Sequence, residues 1–239
     1  MVACPPMKKN DLYNQQVEKH SQLAKCSLCS AKRFSICGKM DETQVKKVDS
    51  FKRTKNYKDK QPIFFQGDPV KNYFNVRSGN VKIYRLLDDG RMHIMGFLYP
   101  GDFMGLSSDQ DTYLNSAEAI GNAEICSFAI SEFDELNKNS PEITKELLKR
   151  NFQEIEFMQK QSIIIGKLHA KDRLMEFFKN ISAQRKKIGL PDNPISLPMN
   201  RQDIADYLAL TIETVSRGIT ELKNDQKIKM IDKNKLYIN

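Results

Sequence analysis

Residues 142–165 contain neither glycine nor proline. Ahead of them Ser140 is placed to cap a helix, and Pro141 suits the first helical position, whose N–H has no intrahelical partner. A helix from about Pro141 to Gly166 is long for one domain. Leu148, Ile155, Met158, Ser162 and Ile165 recur along it near heptad spacing. This seam either covers the chain's own core or meets a second copy. So long a helix holds more apolar surface than one packed face needs, which predicts a dimer.

Upstream of the helix, from about Phe51 to Phe128, the pattern is strand-like. "PIFFQGDPV", "YFNVRSGNVKIYRLLDDG" and "HIMGFLYPGDFMG" hold β-branched and aromatic runs. Gly67, Gly79, Gly90, Gly101 and Gly105 punctuate them as expected turns. Val81 to Arg85 alternates apolar and polar, as in a half-covered strand. Asp89-Gly90 is a strong hairpin signal. Many short strands with regular turns imply a sandwich or jelly roll. Met92, Met95 and Met104 read as packing within it.

Downstream, a second helix is predicted over Ala170–Lys187, with Leu174, Phe177, Phe178 and Ile181 inward. "GLPDNPISLP" then reads as a loop. In the tail, Asn200 can cap a helix, and Asp203 supports its dipole at the third position. Ala209, Leu210 and Thr211 form a short turn, with Thr211 capping the next helix. There Val215, Ile219 and Leu222 share one face, while Glu213, Ser216, Arg217 and Thr220 share the other. This is the pattern of a helix-turn-helix that presents a polar face to the major groove. Arg217 can bond guanine through two donors, Glu213 can accept from a cytosine amino group, and Ser216 adapts to either. Thr211 and Arg201 can hold phosphates. "KIKMIDKNKLYI" predicts two short strands, a wing, with a turn at Asp232–Lys235.

The net charge of +8 fits nucleic acid, though membranes accept the same sign. No apolar run is long enough to span a bilayer, and the N-terminus has no signal-peptide core, so a cytoplasmic location is expected. Thiols stay reduced there, and five cysteines, an odd number, argue against a disulfide framework. Cys26, Cys29 and Cys37 form a C-x2-C-x7-C group. Three thiols at that spacing suggest a ligand set that needs a fourth member. Iron–sulfur and zinc both take thiolates, and a C-x-x-C redox dithiol is a third reading. His20, His93 and His169 are scattered and read as surface or helix residues.

Taken in order, these segments resemble the CRP/FNR transcription regulators. "FFQGD", "VRSGNVKIYR", "YPGDFMGL" and "ALTIETVSR" look like signatures of that superfamily. The resemblance implies an α+β chain and no enzyme. Its parts would be a cysteine-bearing segment (1–38), a β-roll (39–139), a dimerisation helix (140–168) and a winged helix-turn-helix (169–239). Double-stranded DNA, a second copy and RNA polymerase are the implied partners. Glu213 to Arg217 resembles the E-x-x-S-R recognition helix of the FNR subgroup, which reads TTGAT-type half-sites. In cyclic-AMP receptors an Arg-Ser pair holds the phosphate. Asn115-Ser116 stands about there, and loss of that countercharge argues against a cyclic nucleotide.

The FNR branch carries an oxygen-labile [4Fe-4S] cluster on an N-terminal cysteine group plus one distant cysteine. The resemblance assigns Cys26, Cys29, Cys37 and Cys126 as ligands and leaves Cys4 as a free thiol. It implies an oxygen-responsive regulator whose dimer is favoured by the cluster. Haem, nitric oxide or a small metabolite would be the ligand of a rival sensor in the same architecture. A thiol oxidoreductase on Cys26 and Cys29, or a zinc-stabilised protein, are rivals of another class. Some relatives have a shorter gap before the third cysteine, Gly where Ala209 stands, and an acidic residue where Lys160 stands.

Overall fold

The computed structural model describes residues 25–106 and 111–239; Cys4 and His20 lie outside them. Two long strands, β3 (Asn72–Leu86) and β6 (Ser116–Ala129), run antiparallel at the centre of a six-stranded sheet. β1 (Arg53–Tyr57) and β2 (Pro62–Phe64) pair with β6, and β4 (Met92–Leu98) and β5 (Phe103–Met104) pair with β3. The sheet closes over an aromatic interior, where the Phe64 ring stacks on Phe74 at 5.2 Å and on Tyr113 at 4.2 Å. Gly90 closes the β3–β4 hairpin through Leu87 and Arg91.

Gly79 is a bulge within β3, where the sequence pattern predicts a turn. Its φ is +80°, and a Cβ there would lie 2.3 Å from the Asn122 carbonyl oxygen, so only glycine fits. The extra residue shifts the β3–β6 register and reverses the side-chain alternation. Phe74 and Val76 before it, and Val81 after it, therefore share the same interior. The opposite face of β3 carries Asn75 and Arg77 at one end and Lys82 and Tyr84 at the other.

Three short 3-10 turns, Cys26–Leu28, Lys32–Phe34 and Ile36–Lys39, precede α1 (Glu42–Phe51), which Asp41 and Gln44 cap reciprocally. α2 (Ile130–Lys138) follows β6 directly. Phe128, Phe133, Val48, Ile36 and Ile143 make a second core at this end of the roll. α3 spans Pro141–Lys167 with Pro141 at its start. Ser140 does not cap it. Its hydroxyl donates to the Leu136 carbonyl at 2.8 Å and accepts from Gln44 Nε2 at 2.7 Å, so it joins α1 to α2.

α3 has two apolar faces. Ile143 is buried, and Leu147, Phe157 and Ile164 are half-buried. Leu148, Phe152, Ile155 and Met158 stand out, each 45–57% exposed. Ser162 is exposed as well, and Ile165 is half-buried.

α4 (Ala170–Lys187) buries Leu174, Phe177, Phe178 and Ile181 as its periodicity demands. α5 (Arg201–Leu208) and α6 (Ile212–Asn224) follow, then β8 (Ile228–Asp232) and β9 (Lys235–Ile238). A third strand, β7 (Ile195–Ser196), pairs with β9 inside the stretch read as loop, because Ile195 and Leu197 fill the core beneath it. The observed class is the α+β arrangement expected.

A buried charge cluster ties this C-terminal unit to the roll. Lys82 Nζ lies 3.0 Å from Glu118 of β6 and 2.9 Å from Asp203 of α5. Asp203 also accepts from the Asn200 N–H, so one carboxylate caps the helix and docks it. Tyr84, Ile94 and Phe97 pack with Phe177 and Tyr207 around it. Burial works to lower the Lys82 pKa, but the Asp203 and Glu118 carboxylates outweigh it and the net shift is upward. A lysine whose pKa rises on folding contributes stability below its unfolded value, and that contribution is lost as pH climbs through the folded one. Lys82→Met should cost about 3–5 kcal/mol at neutral pH, since two carboxylates stay buried. From about pH 10 upward the native chain should lose stability faster than the variant. Urea unfolding across that range checks both; parallel pH profiles would remove Lys82 from the account.

Candidate thiol site and nucleic-acid interface

The fold brings together four cysteines from two distant segments. Cys26 sits on the first 3-10 turn, its N–H bonded to Asp49 Oδ1 at 3.1 Å. Cys29 ends that turn. Cys37 lies in the third, its N–H held by Ser35 Oγ at 3.2 Å. Cys126 is on β6, paired on one side with Thr54 and on the other with Asn75. All four thiols line one cavity of about 20 Å³, with Lys32, Lys52 and Arg77 also at its wall. That is room for about one water molecule. No three His, Cys, Asp or Glu side chains among the described residues are disposed to hold a single metal ion.

Burial pushes Cys126 up to about 11, partly offset by a hydrogen bond with Thr54. Burial also drives Cys26 well above the ordinary thiol range, with Lys52 opposing, and raises Cys37. These thiols hold their protons at neutral pH unless a cation replaces them. Lys52, 6% exposed and paired with Asp49 at 2.9 Å, is the nearby charge that sequence reasoning missed. Its place depends on α1 folding back over the cysteine segment, which no local pattern signals.

The second candidate site is the helix-turn-helix. Asn200 Oδ1 accepts from Asp203 N–H at 2.9 Å, closing a capping box on α5. Thr211 Oγ1 accepts from Thr214 N–H at 3.2 Å and starts α6. Val215, Ile219 and Leu222 are buried, and Gly218 lets α6 settle on Leu174 of α4, whose Cδ1 would lie 2.5 Å from any Cβ. Glu213, Ser216, Arg217 and Thr220 are all exposed on the other face. Arg201 is half-buried, with Nη1 lacking a hydrogen-bond partner. Thr211 is exposed.

Comparison with known proteins follows the same division. Residues 54–140 match the cyclic nucleotide-binding domain, and residues 197–228 match the bacterial regulatory proteins of the crp family. The chain is 30% identical over 207 residues to the nitrogen fixation regulation protein FixK of Bradyrhizobium diazoefficiens, covering 86% of each. It is 28% identical over 200 residues to the anaerobic regulatory protein of Pasteurella multocida, covering 83% of this chain and 73% of that one. The solved structure of FixK2 from Bradyrhizobium japonicum superimposes with a TM-score of 0.72 at 25% identity, covering 79% of this chain and 92% of that one.

The chain belongs to the CRP/FNR superfamily of transcription regulators. It is a DNA-binding regulator and not an enzyme. CRP/FNR proteins usually act as dimers, and α3 carries an exposed apolar stripe. Phe152 belongs to that stripe and was missed, although its place four residues after Leu148 marks it. No helix among the described residues is long and apolar enough to cross a membrane.

A larger cavity of about 380 Å³ lies between the roll, α3, α4 and α5. Asn115 and Asp102 both line it. Asn115 Oδ1 is buried without a partner, while Ser116 Oγ is taken by the Gln66 N–H at 2.9 Å. Burial raises the Asp102 carboxyl above its ordinary value, opposed by the Tyr99 N–H.

Ala209, between the two helices, adopts φ 53° and ψ 51°. The left-handed region costs an L-residue about 1–2 kcal/mol, and glycine escapes that at an unfolded-state cost of about 0.4–1 kcal/mol. Ala209→Gly should therefore raise stability by about 0.5–1 kcal/mol. Denaturant midpoints of the two proteins compare them directly; a lower midpoint for the glycine variant would show that the turn carries no strain.

Proposed function

We propose that this CRP/FNR regulator responds to oxygen through a [4Fe-4S] cluster on Cys26, Cys29, Cys37 and Cys126, and binds TTGAT-type palindromes as a dimer. The observation that carries the reading is the meeting of one sheet thiol with three loop thiols around one cavity. The donor set fits such a group. Thiolates are the usual ligands of iron–sulfur clusters, and Lys32 stands at the wall with Lys52 and Arg77, which are paired with Asp49 and Glu124. When bound, the cluster supplies an oxygen-labile centre that favours one arrangement of the segment over another. The chain's own residues hold it, screen it and pass on the change.

Zinc takes the same thiolates, but a structural zinc site more often draws on two paired C-x-x-C knuckles, and this chain has one. A redox dithiol needs a low-pKa nucleophile, and burial pushes Cys26 the other way. A cyclic nucleotide is disfavoured in the larger cavity, where Asn115 offers no countercharge at the place of the cyclic-AMP receptors' arginine. One relative is itself an anaerobic regulatory protein, which agrees with oxygen as the signal. In this reading the protein works in the cytoplasm, where thiols stay reduced. Its partners are duplex DNA, a second copy through the α3 stripe, and RNA polymerase.

Anaerobic purification tests the cluster. The native chain should carry iron and acid-labile sulfide and bleach in air. Single Ser replacements at Cys26, Cys29, Cys37 or Cys126 should abolish stable loading, while Cys4→Ser should not. A full complement of iron and sulfide in Cys126→Ser would sink the assignment.

DNA recognition has its own test. Arg217 and Glu213 are assigned to base edges, with Ser216 beside them, and Arg201 and Thr211 to phosphates. Arg217→Ala should cost about 1–3 kcal/mol and relax discrimination at one base pair. Arg201→Ala should weaken all sequences alike and flatten the salt dependence. Titrations of single-base variants at several salt concentrations separate the two. Uniform weakening by Arg217→Ala would make it a backbone contact.

A further inference from the structure

Arg150 joins parts of the molecule that are far apart in sequence. It lies on the inner side of α3, its side chain 23% exposed. Nη2 donates to the Phe34 carbonyl at 2.8 Å, and Nη1 to the Gly101 carbonyl at 3.3 Å. Nε is paired with Glu146, one helical turn away, at 2.9 Å. Phe34 sits between Cys29 and Cys37. Gly101 belongs to the roll, in the turn before β5, and its φ of +97° lets it touch Phe34 directly: a Cβ would lie 2.8 Å from Phe34 Cβ. Arg33 stacks over the Phe34 ring at 4.3 Å and reaches Gly189, just beyond α4.

We propose that Arg150 is the positioning residue through which the state of the thiol site reaches the dimer helix. The proposal deepens the cluster reading and rests on it. The cavity between the thiols holds about one water. Anything larger must displace one wall. Cys126 is hydrogen-bonded into the sheet between β1 and β3, so that wall is rigid. The opposite wall consists of short 3-10 turns, and it is the one that yields. Phe34 moves with it.

Because the Phe34 and Gly101 backbones are in contact, no flexible side chain absorbs the movement. The half-buried guanidinium then either loses an acceptor or draws α3 along. α3 carries Arg150 on its inner face and Leu148, Phe152 and Ile155 on its outer one, so a small rotation re-aims the dimer stripe. Lysine cannot substitute, since one ammonium does not reach two carbonyls and a carboxylate in a fixed fork.

The test compares the native chain, Arg150→Lys and Arg150→Ala, each made both with Cys37 intact and with Cys37→Ser. Iron and sulfide content, the dimer dissociation constant by sedimentation, and hydrogen exchange across residues 141–167 are measured anaerobically and after air. In the native chain, air should weaken the dimer by a factor within the usual coupling range of about 5–150. In both Arg150 variants iron and sulfide should stay at the native level while that factor falls toward one. An Arg150→Ala protein that shifts both dimer constants equally, with the ratio intact, would show a structural role and overturn the proposal. Should Arg150→Ala not fold, Arg150→Lys is judged by the same ratio.

If the native chain takes up no iron, the cluster reading fails, and the coupling is judged from Cys37→Ser alone. Altered exchange in α3 with Arg150 present, and unaltered exchange in the Arg150 variants, supports it. No response of α3 to Cys37→Ser in either background overturns it.

Discussion

The antiparallel ladder between β3 and β6 is the constraint on which the rest of the structure depends. It presents one continuous outer face. At one end Asn75 pairs with Cys126 beside the thiol cavity; at the other, Lys82 pairs with Glu118 and reaches Asp203 of the helix-turn-helix. Seven residues of strand separate these ends, about 24 Å. Both functions are thus mounted on one rigid element. The bulge at Gly79 makes this work, because the alternation would otherwise turn Lys82 into the aromatic interior.

At the sheet end Cys26 and Cys126 are buried, burial raises the Cys126 thiol, and the four cysteines are short of space. That combination describes a site whose occupant must displace protons and move a wall. The sheet cannot give, but the cysteine segment can. Its second contact, through Phe34 to Arg150, ties it to α3. The exposed apolar stripe and the thiol segment therefore lie on opposite sides of one helix.

At the other end, Asp203 holds two duties, capping α5 and receiving Lys82. The DNA-reading face remains open while its scaffold is docked. Glu213, Ser216 and Arg217 are exposed, whereas Arg201 is half-covered with an unpartnered nitrogen.

Local chemistry decided much of this protein. Heptad and helical spacing placed α3, α4 and the two helices of the DNA-reading unit, because periodicity in apolar residues dictates which face is buried whatever lies opposite. Asn200, Asp203 and Thr211 declared the helix starts, since a cap bonds only its own first turn. Resemblance supplied Cys126, which no spacing relates to Cys26, Cys29 and Cys37. What only the tertiary structure decided are contacts between distant segments. Ser140 was drawn from its helix to Leu136 and Gln44. Ile195 and Leu197 turned a predicted loop into an edge strand. Gly79 became a bulge because the Asn122 carbonyl stands against it. Lys52, Lys82 and Arg150 look in sequence like ordinary surface charges. Lys82 and Arg150 meet partners brought in from elsewhere in the chain, and Lys52 is covered beside the distant Cys126, all of which depends on which surfaces meet.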